Sequence, residues 1–162
     1  MKRIHYKKID STQKEVWRRI ENVIIISADI QTDGIGTHVR AWYTTQKGNI
    51  AFSIGLEPNV PVTKIENLTI EIAEIILQVF ENLYQIKLQI KHPNDIMINN
   101  QKVGGILTET KLQGEIVKQL VIGIGINTNN KEISTSIKKE FGITIDNTKV
   151  IDEICQRIGE KI

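Results

Sequence analysis

Residues 95–98, 102–109 and 115–126 read as three successive strands, joined by the short turns Asn99-Asn100-Gln101 and Gln113-Gly114. Connections this short leave no room for a crossover, so the three strands have to form an antiparallel meander. The same stretch holds the densest chemistry in the chain. Lys91-His92-Pro93-Asn94-Asp95 leads into the first strand, and Lys102-Val103-Gly104-Gly105-Ile106-Leu107 opens the second. Two lysines, an Asn-Asp pair and two adjacent glycines fall within 17 residues. Glycine lets backbone approach a ligand closely because no Cβ intervenes. Lysine supplies mobile positive charge suited to a phosphate or carboxylate. The pattern describes a site for an anionic, activated small molecule, with an acidic residue nearby to handle a proton.

The remaining elements surround this meander. Residues 4–9 alternate and read as a first strand, and Asp10-Ser11-Thr12 offers cap residues for a helix running to about Ile20. Residues 23–28 form a continuous apolar run typical of a buried strand, and 49–56 read as another. Between them, 31–48 is polar and punctuated by glycine, hence a long loop, and loops of that length are often functional. From 62 to 83, Ile65, Leu68, Ile72, Ile75, Val79 and Leu83 recur at helical spacing. A short strand is expected over 86–90, with weaker helices near 131–140 and 149–161. Hairpin-linked strands with helices massed on one face make an α+β sandwich.

Composition excludes several classes. The chain has 162 residues, 40% of them hydrophobic, which suits one domain with one core. Lys and Arg number 21 against 19 Asp and Glu, and the basic pairs Lys7-Lys8, Arg18-Arg19 and Lys138-Lys139 are dispersed. No extended nucleic-acid footprint results. A lone Cys155 rules out an intrachain disulfide and fits a reducing compartment. No apolar run reaches spanning length, so no membrane contact and a cytoplasmic location are expected. The three histidines, His5, His38 and His92, lack ligand spacing, so no protein-held metal is expected.

Three further segments carry candidate chemistry. Gly34-Ile35-Gly36-Thr37-His38-Val39-Arg40-Ala41-Trp42 could fold over a nucleotide, with Trp42 stacking on a base and Arg40 pairing with phosphate. Taken alone, the segment reads more readily as an ordinary loop with a half-buried Trp. Val39 stands where a dinucleotide fingerprint requires its third glycine. Gly123-Ile124-Gly125-Ile126-Asn127 ends the last strand. Glycines there mark a bulge or a close approach, and Asn127 can both donate and accept toward an adenine edge. Ser11-Thr12 serves a helix cap or a ligand.

Taken in order, Asp10-Ser11-Thr12, Gln31-x-x-Gly34-x-Gly36-x-x-x-Arg40-x-Trp42, Lys91-x-Pro93-Asn94-Asp95, Lys102-x-Gly104-Gly105-Ile106-Leu107 and Gly123-Ile124-Gly125-Ile126-Asn127 resemble the catalytic domain of biotin protein ligases over residues 4–129. The resemblance implies an α+β fold of the class II synthetase-like kind, with a mixed, largely antiparallel sheet and helices packed on one face. It implies that ATP activates biotin to biotinyl-5′-adenylate, which is then transferred to a lysine of a biotin carboxyl-carrier domain of a carboxylase or decarboxylase. Mg²⁺ would arrive with ATP.

The resemblance also implies roles residue by residue. Ser11, Thr12 and Gln31 match positions that hydrogen-bond the ureido group, and Gln13, where relatives often have Asn, assists. Gly34, Ile35, Gly36 and Thr37 match the loop that orders over biotin and the adenylate. Lys102 matches the lysine that reaches the biotin carboxylate and the α-phosphate. Gly105, Leu107, Gly123 and Gly125 match the walls of the biotin pocket. Arg40, Trp42, Lys91, Asn94 and Asn127 match positions on or near the nucleotide, with Lys91 also among the catalytic set. Asp95 matches the carboxylate that receives or positions the carrier lysine.

The sequence departs from the family pattern in places. Ile35, Thr37 and Val39 stand where relatives commonly have two arginines and a glycine, which should weaken the grip on the adenylate phosphate. His92 replaces the usual Trp. Neither the winged-helix domain of bifunctional relatives nor the usual small C-terminal β domain is expected, so DNA is not expected as a partner, while a homodimer is allowed. A lipoate or octanoate transferase of the same superfamily and a non-catalytic biotin- or carrier-binding module are the competing readings.

Overall fold

In the computed structural model, which describes residues 2–19, 23–35, 48–129 and 136–162, the meander closes as three strands: β6 (Asp95–Ile98), β7 (Gln101–Gln113) and β8 (Ile116–Ile126). Their turns are tighter than the sequence suggests. Ile98 already pairs with Gln101 and Gln113 with Ile116. The loops are therefore Asn99-Asn100 and Gly114-Glu115. Asn99 (φ 47°), Asn100 (φ 66°) and Gly114 (φ 60°) all occupy the left-handed region that two-residue hairpins demand.

Around the meander lie β1 (Lys2–Ile9), β2 (Ile24–Gln31), β3 (Ile50–Leu56), β4 (Val60–Pro61) and β5 (Gln89–Lys91). Numbering counts the described residues. The sheet order is β1-β2-β3-β8-β7-β6-β5, with β4 pairing β8 alongside β3. β1 and β2 run parallel and every other pair is antiparallel, giving the mixed, largely antiparallel sheet expected. β3 is buried along its whole length, which explains its apolar run, broken only by Ser53 among its larger side chains.

The two long helices, α2 (Leu68–Tyr84) and α4 (Asn147–Lys161), mass on one face. α2 buries Leu68, Ile72, Ala73, Ile75, Ile76, Val79 and Phe80 against Phe52, Ile54, Ile122 and Ile124 of β3 and β8. Each fully buried large side chain there contributes about 1.5–3 kcal/mol. The short α1 (Thr12–Arg18) lies on the opposite face, where Val16 packs with Ile24, Ile26 and Val121. α3 (Ile137–Phe141) precedes α4. Buried Cys155 has its thiol pushed up to about 11 by desolvation, which leaves it protonated and unreactive near neutrality.

Further sequence expectations change. The helix expected over 62–83 is a 3-10 turn, Val62–Ile65, followed after Glu66-Asn67 by α2. Apolar spacing does not distinguish the two kinds of turn, whereas Asn67, the residue preceding α2, marks the break. The strand expected over 86–90 shrinks to β5. Ile86 and Leu88 are buried by packing into the α2 core rather than by pairing. The first helix stops at Arg18, and only 137–141 of the helix expected over 131–140 falls among the described residues as helix.

Glycine substitutions provide a test of the ladder. A Cβ on Gly104 would lie 2.8 Å from the Gly125 carbonyl oxygen, so Gly104→Ala should push β7 from β8 and lower stability by about 1–3 kcal/mol. Gly159 in α4 faces open space, so Gly159→Ala should raise stability by about 0.5–1 kcal/mol. Urea unfolding midpoints of both variants, with unchanged m-values, check the opposite signs.

Candidate active site

α1 begins where β1 ends because Ser11, in an extended conformation, caps it: its Oγ accepts the Lys14 N–H at 3.2 Å. The Thr12 N–H donates to Gln31 Oε1 at 2.8 Å, tying the first turn of α1 to the end of β2. Lys14 pairs with Asp33 just beyond. These contacts hold the first turn of α1 over the sheet face that carries Ser53, Gly105, Leu107, Gly123 and Gly125. Gly105 pairs directly with Gly125, and Leu107 and Ser53 both pair with Gly123. The missing side chains leave a hollow against the sheet.

That hollow is an open cavity of about 470 Å³, counted out through its mouth into solvent. It is lined by Ser11, Thr12, Gln13, Gln31, Ile35, Phe52, Ser53, Asn94, Lys102, Gly105, Ile106, Leu107, Gly123, Ile124 and Gly125. One wall is buried and polar. Thr12 Oγ1 lies 2.8 Å from Ser53 Oγ, and the Ser53 hydroxyl donates to Gln13 Oε1 at 2.9 Å. The Gln13 amide donates to Glu109 Oε1 at 2.9 Å, and the Trp17 indole N–H donates to the same oxygen at 3.0 Å. The room for Gln13 comes from Gly123, where a Cβ would stand 2.4 Å from Gln13 Oε1.

A second wall is charged. Lys102 Nζ lies 3.0 Å from Asp95 Oδ1, both groups partly open to solvent. Lys102 passes beside Gly105, whose missing Cβ would sit 3.6 Å from Lys102 Nζ. Asn94 is clamped to β7 in both directions: its amide donates to the Ile106 carbonyl at 3.3 Å, and Ile106 N–H donates to the Asn94 carbonyl at 3.0 Å. The wall is thus a cation with a carboxylate at hydrogen-bond distance, set on a fixed backbone.

Of the residues singled out from sequence, Ser11, Thr12, Gln13, Gln31, Ile35, Asn94, Lys102, Gly105, Leu107, Gly123 and Gly125 meet in this cavity. Asp95 is outside the lining but in contact with Lys102. Gly34 is buried next to Ile35, outside the lining. Lys91 is exposed, paired with Asp95 across the β5–β6 ladder. Asn127 lies one residue past β8, where its Oδ1 accepts from Asn49 Nδ2 at 3.2 Å. Asn49 Oδ1 is buried and has no partner among the described residues. Gly36, Thr37, Arg40 and Trp42 lie outside the described residues. Sequence reasoning missed Phe52, Ser53, Asn49 and Glu109, and it quoted Ile106 and Ile124 in motifs without giving them a place in the site. Ser53 alone carried a signal, as a hydroxyl inside the apolar run 50–56, where a buried polar group needs a partner. Among the described residues, no group of three or more His, Cys, Asp or Glu could hold a metal, and no helix is long and apolar enough to cross a membrane.

The fold and cavity define an α+β domain in which a buried polar wall and a charged wall meet in one cavity. The chain belongs to the biotin/lipoate A/B protein ligase family, whose model matches residues 6–127. It is 35% identical to a bifunctional ligase/repressor, BirA, of Bacillus subtilis, over 93% of this chain and 50% of that protein. It is 30% identical to a biotin–[acetyl-CoA-carboxylase] ligase of Mycobacterium tuberculosis, over 67% of this chain and 40% of that protein. A solved biotin protein ligase from Aquifex aeolicus, in complex with biotin and ATP, superposes with a TM-score of 0.83 and 29% identity, covering 99% of this chain and 69% of that one. The chain spans about half the length of the curated relatives it matches.

The cap region has a pH signature. The Arg18 guanidinium, with help from the Ser11 N–H at 2.7 Å, holds the Asp10 carboxyl at about 2, below its ordinary 3.8. Its contribution to stability is therefore present above the ordinary value and lost as pH falls toward 2. The pair is solvated, so Asp10→Asn should cost about 1 kcal/mol or less at pH 6, and that difference should vanish near pH 2. Denaturant midpoints of both proteins between pH 6 and 2 provide the measurement.

Proposed function

We propose that this chain activates biotin with ATP to biotinyl-5′-adenylate and transfers the biotinyl group to a lysine of a biotin carrier domain. The observation that carries the reading is the joining, in one cavity, of a buried polar wall suited to a small cyclic urea with a lysine suited to a carboxylate and a phosphate. A carboxylate is a poor electrophile. Attack of its oxygen on the α-phosphorus of ATP, with loss of pyrophosphate, converts it to a mixed anhydride. In this reading Lys102 binds both anionic groups and stabilises the charge developing on the phosphate. Mg²⁺ carried in with ATP would neutralise part of the same charge.

Asp95, beside Lys102, then receives a proton from the carrier amine as that amine attacks the anhydride carbonyl and AMP leaves. Asn94 and Lys91 flank the nucleotide side. Asn127, with the unpartnered Asn49 Oδ1 nearby, offers hydrogen bonds to an adenine edge. Gly34, Ile35, Gly36 and Thr37 close over the adenylate in this scheme, with Arg40 and Trp42 following on the nucleotide. The buried hydroxyls and amides of Ser11, Thr12, Gln13 and Gln31 favour biotin over lipoate or octanoate, whose apolar tails leave such groups unpaired.

The decisive experiment is ATP-dependent biotin transfer to a purified carrier domain, with lipoate and octanoate as competitors. Transfer of biotin that excess lipoate does not suppress supports the reading; preferential transfer of lipoate or octanoate overturns it. Two variants dissect the steps. Lys102→Ala should lower biotin-dependent ATP–pyrophosphate exchange at least about a hundredfold, the scale of one strong electrostatic contact. Asp95→Ala should keep exchange but slow transfer from preformed adenylate by about 10²–10⁴-fold. Rapid carrier labelling by that variant would remove Asp95 from the second step.

A further inference from the structure

The buried wall has a proton order that can be read from its partners. An indole N–H only donates, and a carboxylate oxygen only accepts. Glu109 Oε1 receives both the Trp17 N–H and the Gln13 amide, and Gln13 Nε2 also faces the Val121 carbonyl oxygen at 3.5 Å. Two acceptors on that side fix the NH₂ end of Gln13 toward them, so its Oε1 faces Ser53 and must accept. Ser53 has a single hydroxyl proton, and it is spent on Gln13. Thr12 Oγ1, 2.8 Å from Ser53 Oγ, must then be the donor in that contact. With its proton committed, Thr12 Oγ1 has only lone pairs left for the cavity it lines.

We propose that Glu109, outside the cavity lining, is the positioning residue that sets this order and makes Thr12 accept an N–H from the bound ring. It would thereby determine specificity for a head group that donates. Placement supports a dedicated role. Glu109 projects from β7 opposite Val121, on the same sheet face as Gly105 and Leu107, and its Oε1 is shared by two donors of α1. The assignment rests on the biotin reading for the identity of the ring, but the proton order itself follows from the contacts alone.

The test measures, by calorimetry, binding of biotin and of two ring analogues in which one or the other ureido N–H is replaced by CH₂. The proteins are the wild type, Glu109→Gln, Glu109→Leu and Gln13→Met. The wild type should prefer biotin over one analogue by about tenfold, the scale of one buried hydrogen bond with an unpaired partner. Glu109→Gln should keep the preference, because its amide oxygen accepts from both donors. Glu109→Leu should collapse it below about threefold by weakening biotin and leaving that analogue unchanged. Gln13→Met, which cuts the chain from the other side, should give the same collapse and serves if Glu109→Leu does not fold. Full preference retained in a folded Glu109→Leu or Gln13→Met, or equal weakening of all three ligands, overturns the role of Glu109 while leaving the biotin reading intact. A wild type that binds no biotin overturns that reading and this assignment together.

Discussion

A ligand can lie against a buried sheet only where side chains are missing and backbone polar groups are still paired, and the β7–β8 ladder meets both conditions. Gly105 faces Gly125 across it, and Leu107 faces Gly123 in the next position on the same face. The ladder bonds satisfy the backbone, so the hollow costs no unpaired amides. The tightness that makes this possible shows on the reverse side, where Gly104 sits too near the Gly125 carbonyl to tolerate a methyl group. The other parts of the site depend on this pairing. Gln13 can enter only because Gly123 has no side chain, Asn94 is held by bonds to Ile106 of β7, and Asp95 stands opposite Gly105 in the same ladder.

The charged wall is built differently from the polar one. The Lys102–Asp95 pair is partly solvated, where an ion pair contributes little to folding and its members can change partners readily. In the proposed reaction, a cation that follows charge from a carboxylate to a phosphate benefits from that freedom. The Thr12–Ser53–Gln13 wall is buried, where an unmade hydrogen bond is expensive and each group has a fixed role. In that reading one wall adapts as charge moves, and the other selects.

Local order along the chain exposed the hairpins, the glycine pairs and the cap. Asn99-Asn100, Gly114 and Ser11 each announce their geometry through backbone preferences that need no distant partner. What the sequence concealed was non-local. Ser53 looks like a defect in an apolar strand until β3 is set against β8, about 70 residues later, with Gly123 opposite it. Glu109 looks like an ordinary strand carboxylate until α1 brings Trp17 and Gln13 to it. The break before α2 and the shortened β5 were hidden for a related reason: burial by packing and burial by pairing leave the same apolar spacing. Lys91, prominent in the motif, lies exposed on the ladder beside Asp95 instead of in the cavity.

The sheet also divides labour between its two sides. The α2–α4 side is a large aliphatic core, whereas the α1 side has a small apolar cluster and the cavity. Ile72, Ile76 and Phe80 lie outside the cavity lining, so changes there act first on thermal tolerance and reach the cavity only through Phe52, Ile106 and Ile124, which belong to both. Changes around Thr12, Ser53 or Gln13 alter recognition with little effect on that core. The two properties can therefore drift apart wherever a change spares those shared residues. A chain of this design can adjust to a new growth temperature on one side while its chemical preference is conserved, or modified, on the other.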